Sequence, residues 1–508
     1  MMVFSQAFPL LSLLIWLPIV GGILCLLLSR RLALPHLKKM AMGVALLELC
    51  LCIPLIREFN ISTFSMQWVE HRVWLSDYFI YYHLGIDGLA LPLLVLSCLM
   101  TLLVIVATAK STQPRMPEYL SLFLILQGLL AGVFVSVDAI LFYVFWEALL
   151  IPMFLIIGIW GGKNRVYATL KFFLYTFLGS VLLLVAILYC RAMAQTQVPG
   201  SLSVFSILQF QDLTFSMQEQ KWLFWAFLIA FAVKVPMWPV HTWLPDAHVQ
   251  APTGGSVILA AILLKVGGYG FLRFLLPMVP DAVRFYQTCI IGLSLVAIIY
   301  IGLVAIMQTD LKKLIAYSSV SHMGFVTLGF FVGSSMGLEG AMIQMISHGF
   351  ISGALFFCVG ILYDRTHSRA IKDYGGVVNT MPLFAALFVL FSLANLGLPG
   401  TSGFIGEFLV VLATLKTQFI FSALAALTLV LSASYTLWMT KRVIFGPVAN
   451  PSVAGLSDIN GFEKSILGVL AIAVLLLGMW PAPLLNTMRV SVQHLSTQLK
   501  FSKLLQIP

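Results

Sequence analysis

Six ionisable residues stand where an apolar sequence has little reason to keep a charge. They are Glu147 in Phe145-Trp146-Glu147-Ala148, Lys234 ahead of Pro236, Lys265 in Leu263-Leu264-Lys265-Val266, His322 and His348, each directly after a serine, and Glu407 in Gly406-Glu407-Phe408. Withdrawal from water disfavours the charged form of amine and carboxylic acid alike, so the lysine pKa falls and the glutamate pKa rises, both toward neutrality. Histidine starts there, at about 6.5. These types together suit proton exchange, and a Glu147–Lys234 pair that opened or closed would release or take up a proton. Each also has a structural reading: a buried glutamate can serve only as a partner for a neighbour, and a lone histidine in a helix bundle is often a hydrogen-bonded packing residue.

Other chemistries lack their residues. The chain has no G-x-x-x-x-G-K-[ST] phosphate loop and no dinucleotide fingerprint in a strand–helix context. Its seven cysteines are scattered singly, without a C-x-x-C pair, so neither a metal cluster nor a disulfide framework is expected. The block from His241 to His248 holds two histidines and Asp246, a set that could suggest a metal. With Pro236, Pro239, Pro245 and Pro252 punctuating it, it reads instead as a rigid loop with capping contacts, and no metal is expected. Whatever drives protons here must come from a gradient or from partner chains.

The elements that must position these residues follow from composition. Of 508 residues 60% are hydrophobic and only 9% charged, which makes lipid the main solvent. About fourteen apolar stretches have the roughly 17–25 residues a helix needs to cross a bilayer; the first is at 7–28 and the last at 466–480. The net charge of +10 is not gathered into a basic cluster with stacking aromatics, so nucleic acid is not an expected partner. The basic residues instead concentrate in the odd-numbered links, such as Arg30, Arg31, Lys441 and Arg442, which assigns those links to the cytoplasm and both termini to the opposite face. Lys171, Lys312 and Lys313, near helix ends, are expected to snorkel to the interface, and Arg273 is counted with the even links. Residues 57–83 and 191–221 are expected to be surface loops.

Two spans are interrupted. The seventh holds Lys234-Val235-Pro236, where the proline frees the carbonyl of Ala232. The twelfth, 382–415, is too long for one crossing and holds Gly397-Leu398-Pro399-Gly400. Broken helices five spans apart point to two inverted five-helix repeats, spans four to eight and nine to thirteen. The expected architecture is therefore an all-α polytopic membrane protein of about fourteen helices with broken helices seven and twelve. Its segments are 1–118 (three helices), 119–280 (first repeat), 281–445 (second repeat) and 446–508 (last helix and tail).

The stretch Phe231-Ala232-Val233-Lys234-Val235-Pro236, the block His241 to His248, Ala251-Pro252-Thr253-Gly254-Gly255-Ser256, the run Gln308 to Gly324 and Gly397-Leu398-Pro399-Gly400 with Gly406-Glu407-Phe408 carry a resemblance. It covers nearly the whole chain and is to the proton-conducting antiporter-like subunits of respiratory complex I. The resemblance implies proton transfer along a central polar axis: Glu147 paired with Lys234, Lys265 as connector, His322 and His348 as relays, and Glu407 as the terminal residue. Glutamate at position 407, where related members generally carry lysine, and the short tail after Trp480 single out one branch of the family. The same resemblance implies a bacterial inner membrane, partners among the other membrane-arm subunits of complex I, including further antiporter-like chains, and no cofactor on this chain. NADH, FMN, iron–sulfur clusters and quinone would sit on partner subunits. A cation/proton antiporter or membrane-bound hydrogenase subunit, and a passive membrane scaffold, are the alternatives.

Overall fold

The computed structural model describes residues 8–110, 113–201, 203–448 and 450–504. Ala7, where the first span is expected to start, lies outside them. Among the described residues twelve helices are long and apolar enough to cross a membrane, from Leu10–Arg30 to Gly461–Met479. Two further crossings consist of paired half-helices: Met217–Lys234 with Trp243–Gln250, and Pro382–Asn395 with Ser402–Leu415. They are the seventh and the twelfth in order, where Pro236 and the Gly397–Gly400 segment interrupt the sequence. Trp243–Gln250 is thus the second half of span seven, whereas the sequence reads as a loop there.

Burial sorts the spans into layers. The apolar window of span eight, Thr253–Met278, is 100% buried, and those of spans ten, Leu311–Val332, and eleven, Ser335–Thr366, are each 94% buried. Span two, Leu34–Arg57, is 28% buried and span thirteen, Phe419–Ile444, 33%. A helix apolar on every side is stable at the centre of a bundle or against lipid, and both places are used here. The three enclosed spans carry Lys265, His322 and His348.

The links pair by parity. On one face Gly162 N donates to Gln250 O (2.9 Å), Leu311 N to Arg369 O (2.9 Å) and Gly376 N to Phe445 O (3.1 Å), all between odd links or the helix ends beside them. On the other, Val137 N donates to His83 O (2.9 Å), Ile207 N to Val137 O (2.8 Å) and Phe215 N to Lys503 O (3.0 Å), all among even links and the C-terminal tail. Each bond satisfies a polar backbone group at the end of a span, where helices leave such groups orphaned.

One region departs from the all-helical expectation. The expected loop at 57–83 overlaps an antiparallel hairpin, β1 (Gln67–Leu75) and β2 (Ile80–Ile86), in which His71 pairs with His83. Its outer strand is largely exposed, and the apolar end of β2, Leu84 to Ile86, packs inward. The helix after span fourteen, Ala482–Gln498, buries Met488, Ser491, Val492 and Leu495 and lies on the even-link face.

Candidate functional site

The break in span seven sets Lys234 at a helix end deep in the protein. Pro236 cannot donate to the carbonyl of Ala232, and Met237 N takes that oxygen instead at 2.9 Å. The next free carbonyl, Val233 O, accepts from the Trp243 indole at 2.9 Å. With its backbone satisfied this way, the helix can end inside the bundle without exposing polar groups to lipid. The buried Lys234 ammonium donates to Trp146 O (3.1 Å) and stands 3.7 Å from the centroid of the Trp146 ring, a cation–π contact.

Glu147 follows Trp146 on a span that is itself interrupted at Leu149, between helices Ala139–Ala148 and Leu150–Trp160. The expected ion pair is not formed: among the described residues Glu147 and Lys234 have no salt bridge, and Glu147 Oε1 has no hydrogen-bond partner. The physical reason is local. The lysine is satisfied by the backbone and ring of Trp146, the residue before Glu147, while the carboxylate is only half-buried.

Lys265 lies on a short α segment, Leu264–Gly270, flanked by π turns at Leu259–Leu263 and Phe271–Leu275. π turns are rare, and they widen a helix where a side chain must reach an unusual direction. Here Lys265 Nζ donates to Ala260 O at 2.5 Å and lies 2.7 Å from Nδ1 of His348. The His348 ring is 5.9 Å from that of His322, whose Nδ1 is 2.8 Å from Glu407 Oε1. Gln344 Nε2 donates to the same carboxylate oxygen at 3.2 Å, and the Tyr435 hydroxyl lies 3.4 Å from His322 Nε2. Lys265, His348, His322 and Glu407 thus form one buried row. Ser347, Asn395 and Gly403 join the last three around a cavity of about 10 Å³, close to the space of one water.

The second break supports the far end of the row. Gly397 and Gly400 adopt left-handed backbone, φ +80° and +89°, which a side chain resists. A Cβ on Gly397 would stand 3.1 Å from Glu407 Oε2, so glycine both makes the turn and leaves room for the carboxylate.

Some buried charged features among the described residues were not foreseen, including Lys312, Arg273 and Glu48. Lys312 is no snorkelling lysine: it is buried and donates to Ala251 O (2.8 Å) and Ser256 Oγ (3.3 Å), because the link from span seven folds across it. Arg273 lies within span eight rather than in a link and forms a buried ion pair with Asp87. Glu48, at the centre of span two, is fully buried and accepts from Gln127 Nε2 (2.8 Å). The signal for Glu48 was present, an acid amid an apolar stretch. Lys171 pairs with Asp246 at 2.7 Å instead of reaching free to the interface.

Residues 136–432, more than half of the chain, match the family described as NADH:quinone oxidoreductase/Mrp antiporter, TM. The chain belongs to this family. Residues 36–136 match the amino terminus of NADH-ubiquinone oxidoreductase chain 4. NADH-quinone oxidoreductase subunit M of Rhodobacter capsulatus is 48% identical over 499 residues, 96% of each chain. NADH-ubiquinone oxidoreductase chain 4 of Marchantia polymorpha is 43% identical over 493 residues, 97% of this chain and 98% of that one. Among solved structures, a chain of respiratory complex I from Thermus thermophilus with bound NADH superposes with a TM-score of 0.87 at 30% identity, covering 97% of this chain and 100% of that one. A chain of the Mrp complex from Dietzia sp. DQ12-45-1b has a TM-score of 0.83 at 19% identity over 97% and 98% of the two chains, a likeness of fold alone.

Proposed function

We propose that this chain is a proton-translocating membrane-arm subunit of an NADH:quinone oxidoreductase, and that Glu147, Lys234, Lys265, His348, His322 and Glu407 carry the proton. The row from Lys265 to Glu407 is the observation that supports this most directly, because an inert scaffold has no use for a lysine, two histidines and an acid in contact at bilayer depth. Each member can bind and release a proton, and none is held by a permanent counter-ion. The step between Lys234 and Lys265 runs where span eight presses against the break in span seven, with Gly267 against Val235 and Lys234.

Electron transfer, with NADH, FMN, iron–sulfur clusters and quinone, belongs to partner subunits, and its energy reaches this chain through neighbouring membrane-arm subunits. Both termini and the even links face the periplasm of a bacterial inner membrane, and protons leave on that side. Residues 119–280 and 281–445 act as inverted five-helix units between an N-terminal segment, 1–118, and a C-terminal one, 446–508. The likeness to the Mrp chain is one of fold, and the high identity to NADH-quinone oxidoreductase subunits favours the redox-driven reading over a cation antiporter.

The test is proton pumping by the purified native complex in liposomes. The complex should oxidise NADH and acidify the lumen, and Lys265→Met should lower the proton-to-electron ratio with assembly unchanged. A normal ratio in a fully assembled Lys265→Met complex overturns the proposed path.

A further inference from the structure

Span eight carries a second polar group beyond Lys265, toward its C-terminal end. Tyr269 and Arg273 follow Lys265 at intervals of four residues, so the three share a stripe of span eight that runs toward the even-link face. Tyr269 OH donates to Phe134 O at 2.8 Å, and Arg273 Nε donates to Tyr269 OH at 2.9 Å. Arg273 Nη2 donates to Asp87 Oδ1, which also accepts from Leu89 N (3.1 Å) and Ala90 N (3.0 Å) at the start of span three. Beyond this pair is a cavity of about 340 Å³, bounded by Asp87, Arg273, Gln211, Ser491, His494 and Gln498 where link six and the C-terminal helix meet. Tyr269, Arg273 and Asp87, with Phe134 and Phe142 packed on the Tyr269 ring, therefore line the side of span eight between the turn after Lys265 and a polar chamber on the even-link face.

The chemistry of these three groups is that of a stop. A guanidinium stays protonated at every accessible pH and has no acceptor, so it cannot take a proton from the inner side and hand it on. Asp87 offsets the guanidinium charge on one side, and the positive end of the pair faces Tyr269, where it disfavours hydronium as an arginine does in a water pore. The Tyr269 hydroxyl has its one proton committed to a backbone carbonyl, which cannot relay it. Asp87 lies on the chamber side, anchored by two backbone N–H groups, and holds the guanidinium in place.

We infer that Arg273, positioned by Asp87 and Tyr269, is an electrostatic seal that keeps a proton on Lys265 from escaping directly to the even-link face and so sends it along the row toward Glu407. The inference rests on the reading of Lys265 as a proton carrier. Without a seal the chain would short-circuit the gradient it helps to build.

The experiment reads passive proton leak in liposomes holding the assembled complex without NADH. Arg273→Gln combined with Asp87→Asn keeps a hydrogen-bonding pair but removes the fixed charge, and Arg273→His places a titratable group at the same point. Either variant should speed the decay of an imposed pH gradient several-fold and lower the proton-to-electron ratio while NADH oxidation continues. Arg273→Lys, which keeps the charge beside Asp87, should restore much of the tightness. Adding Lys265→Met should abolish the leak. An assembled Arg273→His complex as tight as the wild type overturns the seal and shows the ion pair to be a structural tie. A leak that survives Lys265→Met also overturns it, since the escape then bypasses Lys265. Failure of the underlying reading shows separately, as a normal pumping ratio in Lys265→Met alone.

Discussion

Lys265 Nζ and His348 Nδ1 are 2.7 Å apart, so a single proton lies between two bases, whichever nitrogen carries it. Groups that share a proton act as a unit, and their losses do not add. Lys265→Met and His348→Ala should each lower the proton-to-electron ratio of NADH-driven pumping, and the double variant should be no worse than the worse single. Additive losses would show two independent sites.

At the other end of the row, His322 and Gln344 both meet Oε1 of Glu407. If position 407 need only bind and release a proton, Glu407→Lys should retain more pumping than Glu407→Ala. Equal losses, measured on complexes of equal assembly, would make carboxylate geometry the requirement.

Glu147→Ala or Lys234→Ala should abolish most proton pumping and much coupled quinone reduction, with the assembled complex still visible on native gels. Because Lys234 is held by Trp146 and not by Glu147, Glu147→Gln should leave the lysine in place and still lose pumping. Normal pumping in any of these variants would remove the residue from the path.

Gly267 sets the distance between span eight and the break in span seven. A Cβ there would stand 2.9 Å from Val235 N and 3.0 Å from Lys234 Cβ, whereas a Cβ on Gly292 meets nothing within 4 Å. Overpacking typically costs about 1–3 kcal/mol, so Gly267→Ala should lower the melting temperature of the complex and, by displacing Lys234, its pumping ratio. Gly292→Ala should do neither. Equal behaviour of the two would mean that the close approach is without consequence.

The hairpin carries a pH dependence of its own. Burial, and then the neighbouring His71, pull the His83 imidazole down from 6.5 to about 4. Between those values the unfolded strand binds a proton that the folded one refuses, so the hairpin loses stability as pH falls from about 6.5 toward 4. Hydrogen exchange of β1 and β2 amides should quicken over that window more than exchange in span eight, and His83→Phe should blunt the effect. An unchanged pH profile in that variant would exonerate His83.

Much of this site was legible because ionisable residues are expensive in lipid. Glu147, Lys234, Lys265, His322, His348 and Glu407 stand out in an apolar text for that reason, and Pro236 and the Gly397–Gly400 segment announce the two breaks. What misled was the neighbourhood of each residue. Lys312 looks like a snorkelling lysine because nothing local says that residues 251–256 fold over it. Arg273 looks like part of a link because its partner, Asp87, is far away in sequence. Glu147 and Lys234 invite pairing as opposite charges, and the competing acceptor, a main-chain carbonyl of Trp146, has no side-chain signature. The π turns around Lys265 are likewise a backbone event among Leu, Ala and Gly residues that would equally build an ordinary helix. The hairpin was hidden by its exposed, mixed outer strand, which lacks a clean alternation.

The parity of the links has a mechanical result. Where the links bond to one another, odd binds odd and even binds even, so each mouth of the bundle is partly hooped, and a stave tied at both ends resists tilting on its own. The working stroke of this subunit is thereby directed to side chains and to the interruptions of spans five, seven and twelve, which lie inside the hoops.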